Sequence, residues 1–235
     1  MIWNESLMRE FFENVLPPLE DYEVFISLLA ARKKYYPLLR RSEEILDRKI
    51  LRANDSKRLI QKIKRFAKGP FYQDDKELPE EALVLYIGLN PKHTLKAFNL
   101  FVKEMQDSLS QITFALLNQN QPDFSKFKKI DVNLFSAIHR STSRHVYWLI
   151  DIDRKDEFLL DAVVKKLEDN VAWISETKNG FHVIVKVGRE SGRIIFGGKG
   201  ETGLKQIEGV EVHKEAMTPI PGTLQGGFKV RKCIY

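Results

Sequence analysis

Cysteine is nearly missing from this sequence of 235 residues, in which Cys233 stands alone near the C-terminus. One thiol forms no disulfide within the chain and builds no cysteine-rich zinc site. This usage is typical of a reducing compartment, so we expect a cytoplasmic protein.

Long hydrophobic runs are missing as well. No apolar run approaches the ~20 residues of a membrane helix. The first residues lack the basic region and apolar core of a signal peptide. The sequence therefore predicts no membrane partner. A Gly-Gly-Lys-Gly run at 197–200 lacks the Walker A spacing, and we interpret it as a flexible hairpin.

Charged residues, by contrast, are abundant, and the positive ones prevail. The chain has 38 Lys and Arg against 32 Asp and Glu, a formal net charge of +6. Hydrophobic residues make up 43% of the sequence, which is ordinary for a globular domain with a sizeable core. A basic balance suits a polyanionic partner such as nucleic acid.

Hydrophobic periodicity predicts an α+β fold with a mainly antiparallel sheet flanked by helices. The predicted helices span residues 5–15, 42–66 with a break near 54–55, 94–118 and 157–168. The predicted strands span residues 22–31, where a helix is the alternative, 82–89, 146–153, 171–175, 181–187, 210–212 and 228–231. A polar linker is expected at 119–131, a Gly-rich turn region at 192–203 and a rigid loop at 218–223.

Two carboxylates stand two positions apart at the end of an apolar strand. Residues i and i+2 of a strand point to the same face, so Asp151 and Asp153 project together. Like charges this close raise each other's pKa unless a cation such as Mg²⁺ or Mn²⁺ lies between them. The pattern alone is also typical of a strand-end turn with Arg154 and Lys155 as solvated partners. The apolar strand before it favours the metal site.

A histidine begins a later apolar strand. His182 alternates with Phe181 and Val183 and therefore faces the opposite side from them. Such a histidine either donates to a phosphate oxygen or is a satisfied core residue. Gly180 permits a tight turn or a close backbone approach before it, and Lys178 could add positive charge for a phosphate.

Three segments follow one another in the C-terminal half: Leu149 to Asp153, Ser175 to His182, and Val210 to Val212. Their order resembles the three-motif signature of the archaeo-eukaryotic primase superfamily. That signature has an acidic D-x-D, an S-x-H-like or G-x-H element, and a third acid on a later strand. The resemblance covers roughly residues 145–235. Segments at 31–35 and 86–92 also look similar to small viral and plasmid primase-polymerases, from which we hypothesise a plasmid, phage or mobile-element origin.

The resemblance implies a template-dependent nucleotidyltransferase, a DNA primase or polymerase with an RRM-like catalytic core. It implies that Asp151, Asp153 and Glu211 are catalytic and hold two Mg²⁺ or Mn²⁺ ions. It also implies that His182 contacts the phosphates of an incoming dNTP or NTP. Expected partners are a DNA template, single-stranded or with a primer, and a helicase or other replication proteins. Residues 81–235 would form the catalytic core and residues 1–80 a helical, basic part of the same compact domain.

The match departs from the family pattern at two places. Glu211 stands where Asp is common, and Glu208 and Glu215 are nearby alternatives for the third acid. The middle motif lacks the serine that some members carry two residues before the histidine. Either Ser175 or Thr177 could supply that hydroxyl.

Basic residues with aromatic neighbours are further candidates, because such mixtures track a nucleic-acid backbone and stack bases. Candidate contacts to nucleic acid are Arg32, Lys33, Lys34, Tyr35, Arg140 and Arg144. Candidate contacts to the nucleotide phosphates are Lys178, Ser175, Lys229 and Arg231.

Two other functions stay open at this point. A metal-dependent nuclease would use the same acids but need not bind a nucleoside triphosphate. A non-catalytic single-strand-binding factor of replication or repair would not need the acid pair, and its binding would depend steeply on salt.

Overall fold

The computed structural model describes residues 1–73, 75–198, 202–215 and 217–234. The helices of this part are α1 (Glu5–Asn14), α2 (Ser56–Phe66), α3 (Thr94–Leu117), α4 (Ile130–Arg140), α5 (Glu157–Leu167) and α6 (Arg189–Phe196). The strands from β1 to β7 are Glu23–Arg32, Glu43–Leu51, Tyr72–Gln73, Lys76–Glu77, Leu83–Gly88, Lys92–His93 and Tyr147–Ile152. The strands from β8 to β14 are Val171–Glu176, Phe181–Lys186, Val210–His213, Met217–Pro219, Leu224–Gln225, Phe228–Lys229 and Arg231–Lys232. The predicted α+β class is confirmed.

The first sheet is built mainly from the N-terminal half. Its strand order is β13-β12-β5-β1-β2, with β11 added to β5 and β6 added to β1, and its pairs are antiparallel. Apolar residues of α1 and α2, including Phe11 and Ile63, join Leu29 and Leu85 of this sheet in the largest core cluster. The helices α3 and α4 pack together against the start of β1, where Val24 and Ile26 are buried.

The second sheet belongs to the C-terminal half and has the antiparallel order β10-β7-β9-β8-β14. One face is covered by α5 and α6, and Ile150, Ile152 and Val183 are buried there. The opposite face contributes Leu149 and Ile184 to the largest core cluster, which the first sheet shares. The two sheets are therefore packed into one hydrophobic core.

The amide of Asn90, which is 2% exposed, joins the two sheets at the end of β5. Its Nδ2 donates to the carbonyls of Tyr147 at 3.0 Å and Lys214 at 3.1 Å. Its Oδ1 accepts from the backbone N–H groups of Val146 at 2.8 Å and Tyr147 at 2.9 Å. One buried side chain thus fixes the start of β7 and the connection from β10 to β11.

Most predicted elements are confirmed, and three predictions are wrong. Residues 43–51 form β2 instead of a helix, so the N-terminal part is not mainly helical. The helix α4 occupies 130–140, which includes the end of the predicted polar linker. The helix α6, which ends at Phe196, occupies residues 192–196 of the predicted Gly-rich turn region. Residues 199 and 200 of the predicted hairpin lie outside the described residues.

A β-bulge explains why β2 does not show the alternation of a strand. Leu29 pairs with Asp47, whereas Ala30 pairs with Ile45, so Leu46 is an extra residue in the ladder. An extra residue resets the period-two pattern and moves the following side chains to the other face. The resulting spacing of apolar residues is close to that of a helix.

None of the helices in the described part of the chain has both the length and the apolar character that crossing a membrane requires.

Candidate active site

The strand register of the second sheet gathers the predicted acids and the histidine. Asp151 on β7 lies directly opposite His182 on β9 and Glu211 on β10. Directly opposite residues of antiparallel strands share a face. Asp153, one residue beyond the end of β7, is on the same side of the strand as Asp151.

His182 is held between the two sheets and is only 8% exposed. Its Nε2 lies 3.4 Å from Oδ1 of Asp151. Its Nδ1 lies 3.0 Å from Oγ1 of Thr218, a buried residue on β11 of the first sheet. The imidazole therefore has a partner at each nitrogen, which fixes the orientation of the ring.

The environment of Asp151 favours its ionised form. Burial is the largest influence and raises the pKa of this carboxyl, whereas the hydrogen bond and charge of His182 are the largest influences that lower it. The nearby His213 and Lys34 act in the same direction, so the pKa of Asp151 is lower than its ordinary value. The site thus carries a stable negative charge next to positively charged groups.

A cavity of about 250 Å³ lies between the sheets at this point. The wall from the second sheet and the segments beside it consists of Leu149, Asp151, Asp153, Thr177, Asn179, His182, His213 and Glu215. The wall from the first sheet and its connections consists of Leu28, Arg32, Lys34, Glu43, Tyr86, Met217 and Gln225. Acidic groups on one wall therefore face basic groups on the other.

Arg32, at the end of β1, is the principal cation of the first-sheet wall. Its Nη1 donates to the hydroxyl of Tyr86 at 2.8 Å, and its Nε lies 3.4 Å from Oε1 of Glu43. That Nε is buried and makes no hydrogen bond within the described residues. A half-buried guanidinium that lines the cavity is suited to bind an anionic oxygen from a ligand.

Lys34 adds a second cation to the same wall. Burial and the charge of Arg32 lower the pKa of Lys34, and the charges of Asp153 and Asp151 partly offset this effect. The four charged groups are therefore close enough to influence one another. A polyanionic ligand entering the cavity would relieve the repulsion between the two cations.

Gly180 allows the turn between β8 and β9 to lie against the end of β7. A Cβ at this position would stand 1.8 Å from the carbonyl oxygen of Ile152 and 2.8 Å from the backbone nitrogen of Arg154. The turn also places Thr177 and Asn179 in the cavity beside the acid pair. The close approach that the sequence suggested for Gly180 is therefore present.

The three candidates for the third acid are placed differently. Glu211 is 61% exposed at its side chain, and its Oε2 lies 3.5 Å from Nε2 of His213. Glu215 lines the cavity, but its carboxylate is bound by the Nζ of Lys92 at 2.6 Å. Among the described residues neither Glu211 nor Glu208 lines the cavity. In the described part of the chain, the further carboxylates that line the cavity, Glu43 and Glu215, are both paired with basic side chains.

Asp151 and Asp153 supply the oxygen ligands that Mg²⁺ and Mn²⁺ prefer. No three His, Cys, Asp or Glu side chains in the described part of the chain are arranged to hold a metal ion. In nucleotide sites Mg²⁺ is commonly held by one or two carboxylates together with substrate phosphates. The acid pair therefore fits a cation that a bound phosphate helps to hold.

The segment from Ser175 to His182 contributes one hydroxyl to the cavity. Thr177 lines it, and the hydroxyl of this residue bonds with the backbone of Gly180 at 3.1 Å. Ser175 is fully buried and accepts a hydrogen bond from Nε1 of Trp173 at 2.9 Å. The ammonium of Lys178 donates a hydrogen bond to the carbonyl of Gly226 beside the cavity.

Lys229 and Arg231, predicted as nucleotide contacts, are not brought to the acids. They belong to β13 and β14, and among the described residues neither lines the cavity. The strand β14 pairs with β8 at the edge of the second sheet opposite β10, so two strands separate it from β7.

The other basic candidates are also dispersed. Arg140 makes two hydrogen bonds to Glu104 on α3, at 2.7 and 2.9 Å. Arg144 bonds both oxygens of the buried Glu23 at 3.1 Å. Lys33 is exposed outside the cavity. These residues are separated from the acid pair, whereas Arg32 and Lys34 share its cavity.

Sequence reasoning missed Tyr86, Thr218 and Gln225. Gln225 donates to the hydroxyl of Tyr35 at 2.8 Å and accepts from the backbone N–H of Lys178 at 2.8 Å, which links the two walls. The first-sheet strands that carry these three residues meet the second sheet only in the folded protein. No local pattern in the sequence marks them.

Comparison with known proteins gives no match among family models, curated proteins or solved structures. The geometry of the site is therefore the basis for any functional assignment.

Proposed function

We propose that the chain is a template-dependent nucleotidyltransferase, a DNA primase or polymerase of the archaeo-eukaryotic primase type. One observation carries this proposal: Asp151, Asp153 and His182 share a cavity whose opposite wall presents Arg32 and Lys34. Such a cavity has oxygen ligands for a divalent cation and positive groups for a triphosphate.

In the proposed reaction, the 3′-hydroxyl oxygen of the growing strand forms a bond to the α-phosphorus of the nucleotide. The bond from this phosphorus to the pyrophosphate breaks. Two Mg²⁺ or Mn²⁺ ions, when bound, would activate the hydroxyl and offset the charge of the leaving group. Asp151 and Asp153 would hold them, and Glu211 would join as a ligand only after its side chain turns toward the acid pair.

The protein's own groups orient the triphosphate. His182 has its ring fixed by Thr218 and Asp151, so its Nε2 would contact a phosphate oxygen by exchanging Asp151 for the nucleotide while Thr218 keeps the ring in place. Arg32 and Lys34 would bind the phosphate oxygens from the opposite wall of the cavity. The two walls thereby hold the reacting phosphate between them.

A metal-dependent nuclease is the main alternative on the same acids. A nuclease needs no site for a free triphosphate, whereas Arg32 and Lys34, which line the cavity with the acid pair, would provide one. Nucleotide binding in the presence of metal separates the two functions, because only the polymerase requires it.

The test is an incorporation assay with a DNA template, labelled dNTPs or NTPs and Mg²⁺ or Mn²⁺, run with and without a primer. We expect Asp151→Asn with Asp153→Asn to lower incorporation by at least about 100-fold, because several kcal/mol of transition-state stabilisation are lost. Circular dichroism should show an unchanged fold.

Asp107→Asn on α3 is the matched control, since it removes an exposed carboxylate that is not among the residues lining the cavity. Full incorporation by the double variant would refute the proposal. Template cleavage without incorporation by the unaltered protein would establish the nuclease instead.

A further inference from the structure

Beside the cavity lies a basic and aromatic surface that the proposed reaction does not use. It consists of Lys155, Lys178, Phe228, Lys229 and Arg231, and we refer to it as the Phe228 surface. Lys155 follows Asp153 by two residues, and Lys178 directly follows Thr177. Both Asp153 and Thr177 line the cavity. The surface is therefore continuous with the mouth of the site.

The cations of the Phe228 surface lie over aromatic rings. The Nζ of Lys155 is 4.1 Å from the ring centre of Phe228, and Cζ of Arg231 is 5.9 Å from it. The Nζ of Lys229 lies 5.5 Å from the ring of Trp3. These contacts orient the cations without neutralising them.

Cations outnumber carboxylates on this surface. Lys155 pairs with Glu176 at 2.7 Å, and Glu176 also lies directly opposite Arg231 across β8 and β14. Within the described residues no ion pair with a carboxylate is found for Lys178, Lys229 or Arg231. Both Lys229 and Arg231 are exposed. An excess of positive charge of this kind attracts a polyanion.

We propose that the Phe228 surface binds a single strand of nucleic acid and leads it to the cavity. The inference rests on the proposed function, because it identifies the path of the strand that the reaction copies or extends. Phosphates would contact Lys229 and Arg231, and a base would stack on the ring of Phe228. On this view Lys229 and Arg231 contact the strand and not the incoming nucleotide.

Single strands fit this surface better than duplexes. Stacking requires an unpaired base with an accessible face, and the aromatic rings among the cations supply the matching partners. A duplex would use the cations alone, since its bases are stacked on each other.

The test measures binding of a labelled single-stranded oligonucleotide by fluorescence anisotropy in EDTA without nucleotide, so that no chemistry takes place. We expect Lys229→Ala with Arg231→Ala to reduce the salt slope of log K by about 0.7 for each lost phosphate contact. Phe228→Leu should lower affinity about fivefold or more through lost stacking. Phe228→Trp should retain the affinity of the unaltered protein.

Lys103→Ala on the distant helix α3 is the charge-matched control and should bind normally. Normal binding by both the double variant and Phe228→Leu would overturn the inference, provided that thermal melting shows intact folds. The two proposals fail separately. Loss of binding in the surface variants with full incorporation by the acid-pair variant would remove only the proposed activity, whereas the reverse result would remove only the strand path.

Discussion

At the scale of single residues, the contacts of His182 are the centre of the site. Thr218 reaches its Nδ1 from the first sheet, and Asp151 reaches its Nε2 from the neighbouring strand. A ring fixed at both nitrogens cannot rotate away from the cavity without breaking two buried contacts. The histidine therefore couples the position of the acid pair to the contact between the sheets.

We expect His182→Gln to raise the pKa of Asp151. Burial raises the pKa of this carboxyl, and the histidine is the main group that lowers it, so burial prevails once the histidine is removed. A carboxyl-carbon NMR titration measures the change, and an unchanged pKa would contradict the expected role of His182.

The lowered pKa of Asp151 also determines how this carboxyl changes the stability of the fold with pH. Ionised Asp151 stabilises the fold above the unfolded value of about 3.9, and this contribution is lost as the pH falls through the folded pKa. The stability that His182→Gln loses through this carboxyl should therefore be greatest well above the unfolded value of about 3.9 and should shrink as the pH falls toward the folded pKa, which urea denaturation at a series of pH values measures. His213→Gln is the control, because His213 has a smaller effect on the same carboxyl.

The residues of the second-sheet wall could be predicted from the sequence, because their relation is local. Asp151 and Asp153 share a face by strand periodicity, and His182 follows one strand pair later. Arg32 and Lys34 reach the same cavity from more than a hundred residues away. Their placement depends on how the sheets pack, which periodicity does not encode. For the same reason the sequence did not indicate that Lys229 and Arg231 lie outside this cavity.

At the scale of elements, glycine explains one wrong prediction. Gly192 was interpreted as part of a turn, yet it lies within α6. A Cβ there would stand 3.2 Å from the indole of Trp148, so the absent side chain makes room for that ring. A glycine that serves packing looks in the sequence like a glycine that ends a helix.

Gly180 shows the opposite case, in which the glycine serves the turn that the sequence predicts. We expect Gly180→Ala to lower the free energy of unfolding by roughly 3 kcal/mol, because its Cβ would collide with the carbonyl oxygen of Ile152. Incorporation should also fall, since the turn carries Thr177 and Asn179 into the cavity. Urea denaturation measures the stability.

Gly188→Ala is the matched control for this variant. Its nearest contact would be Oγ of Ser191 at 3.4 Å, an ordinary van der Waals distance. Equal stability of Gly180→Ala and Gly188→Ala would contradict the prediction, because it would show that the backbone at the end of β7 shifts to accommodate the added Cβ.

At the scale of the whole molecule, the two sheets form one structural unit around the cavity. Leu149, Trp173 and Ile184 of the second sheet belong to the same core cluster as α1, α2 and the first sheet. The ring of Trp173 lies 5.3 Å from that of Phe11 on α1. The shape of the cavity therefore depends on contacts made far from the acids.

We expect both sheets to unfold in a single transition, and Asn90→Ala to destabilise both equally. This change removes four buried hydrogen bonds between the sheets and leaves backbone groups of Val146 and Tyr147 unsatisfied. The loss should reach about 3 kcal/mol or more. Asn118→Ala is the control, because that exposed amide donates to the carbonyl of Phe114, four residues earlier in the chain.

Through two tryptophans, urea denaturation can follow the core shared by both sheets separately from the helix-covered face of the second sheet. Trp173 lies in the shared core, whereas Trp148 packs against Phe196 on the helix side of the second sheet. Variants that retain only one of these indoles should give coincident midpoints, and Asn90→Ala should lower both by the same amount. Separate midpoints would mean that the second sheet keeps its fold after the first is lost. The cavity would then lie between two independently stable halves, and its geometry would depend on Asn90 and its neighbours alone.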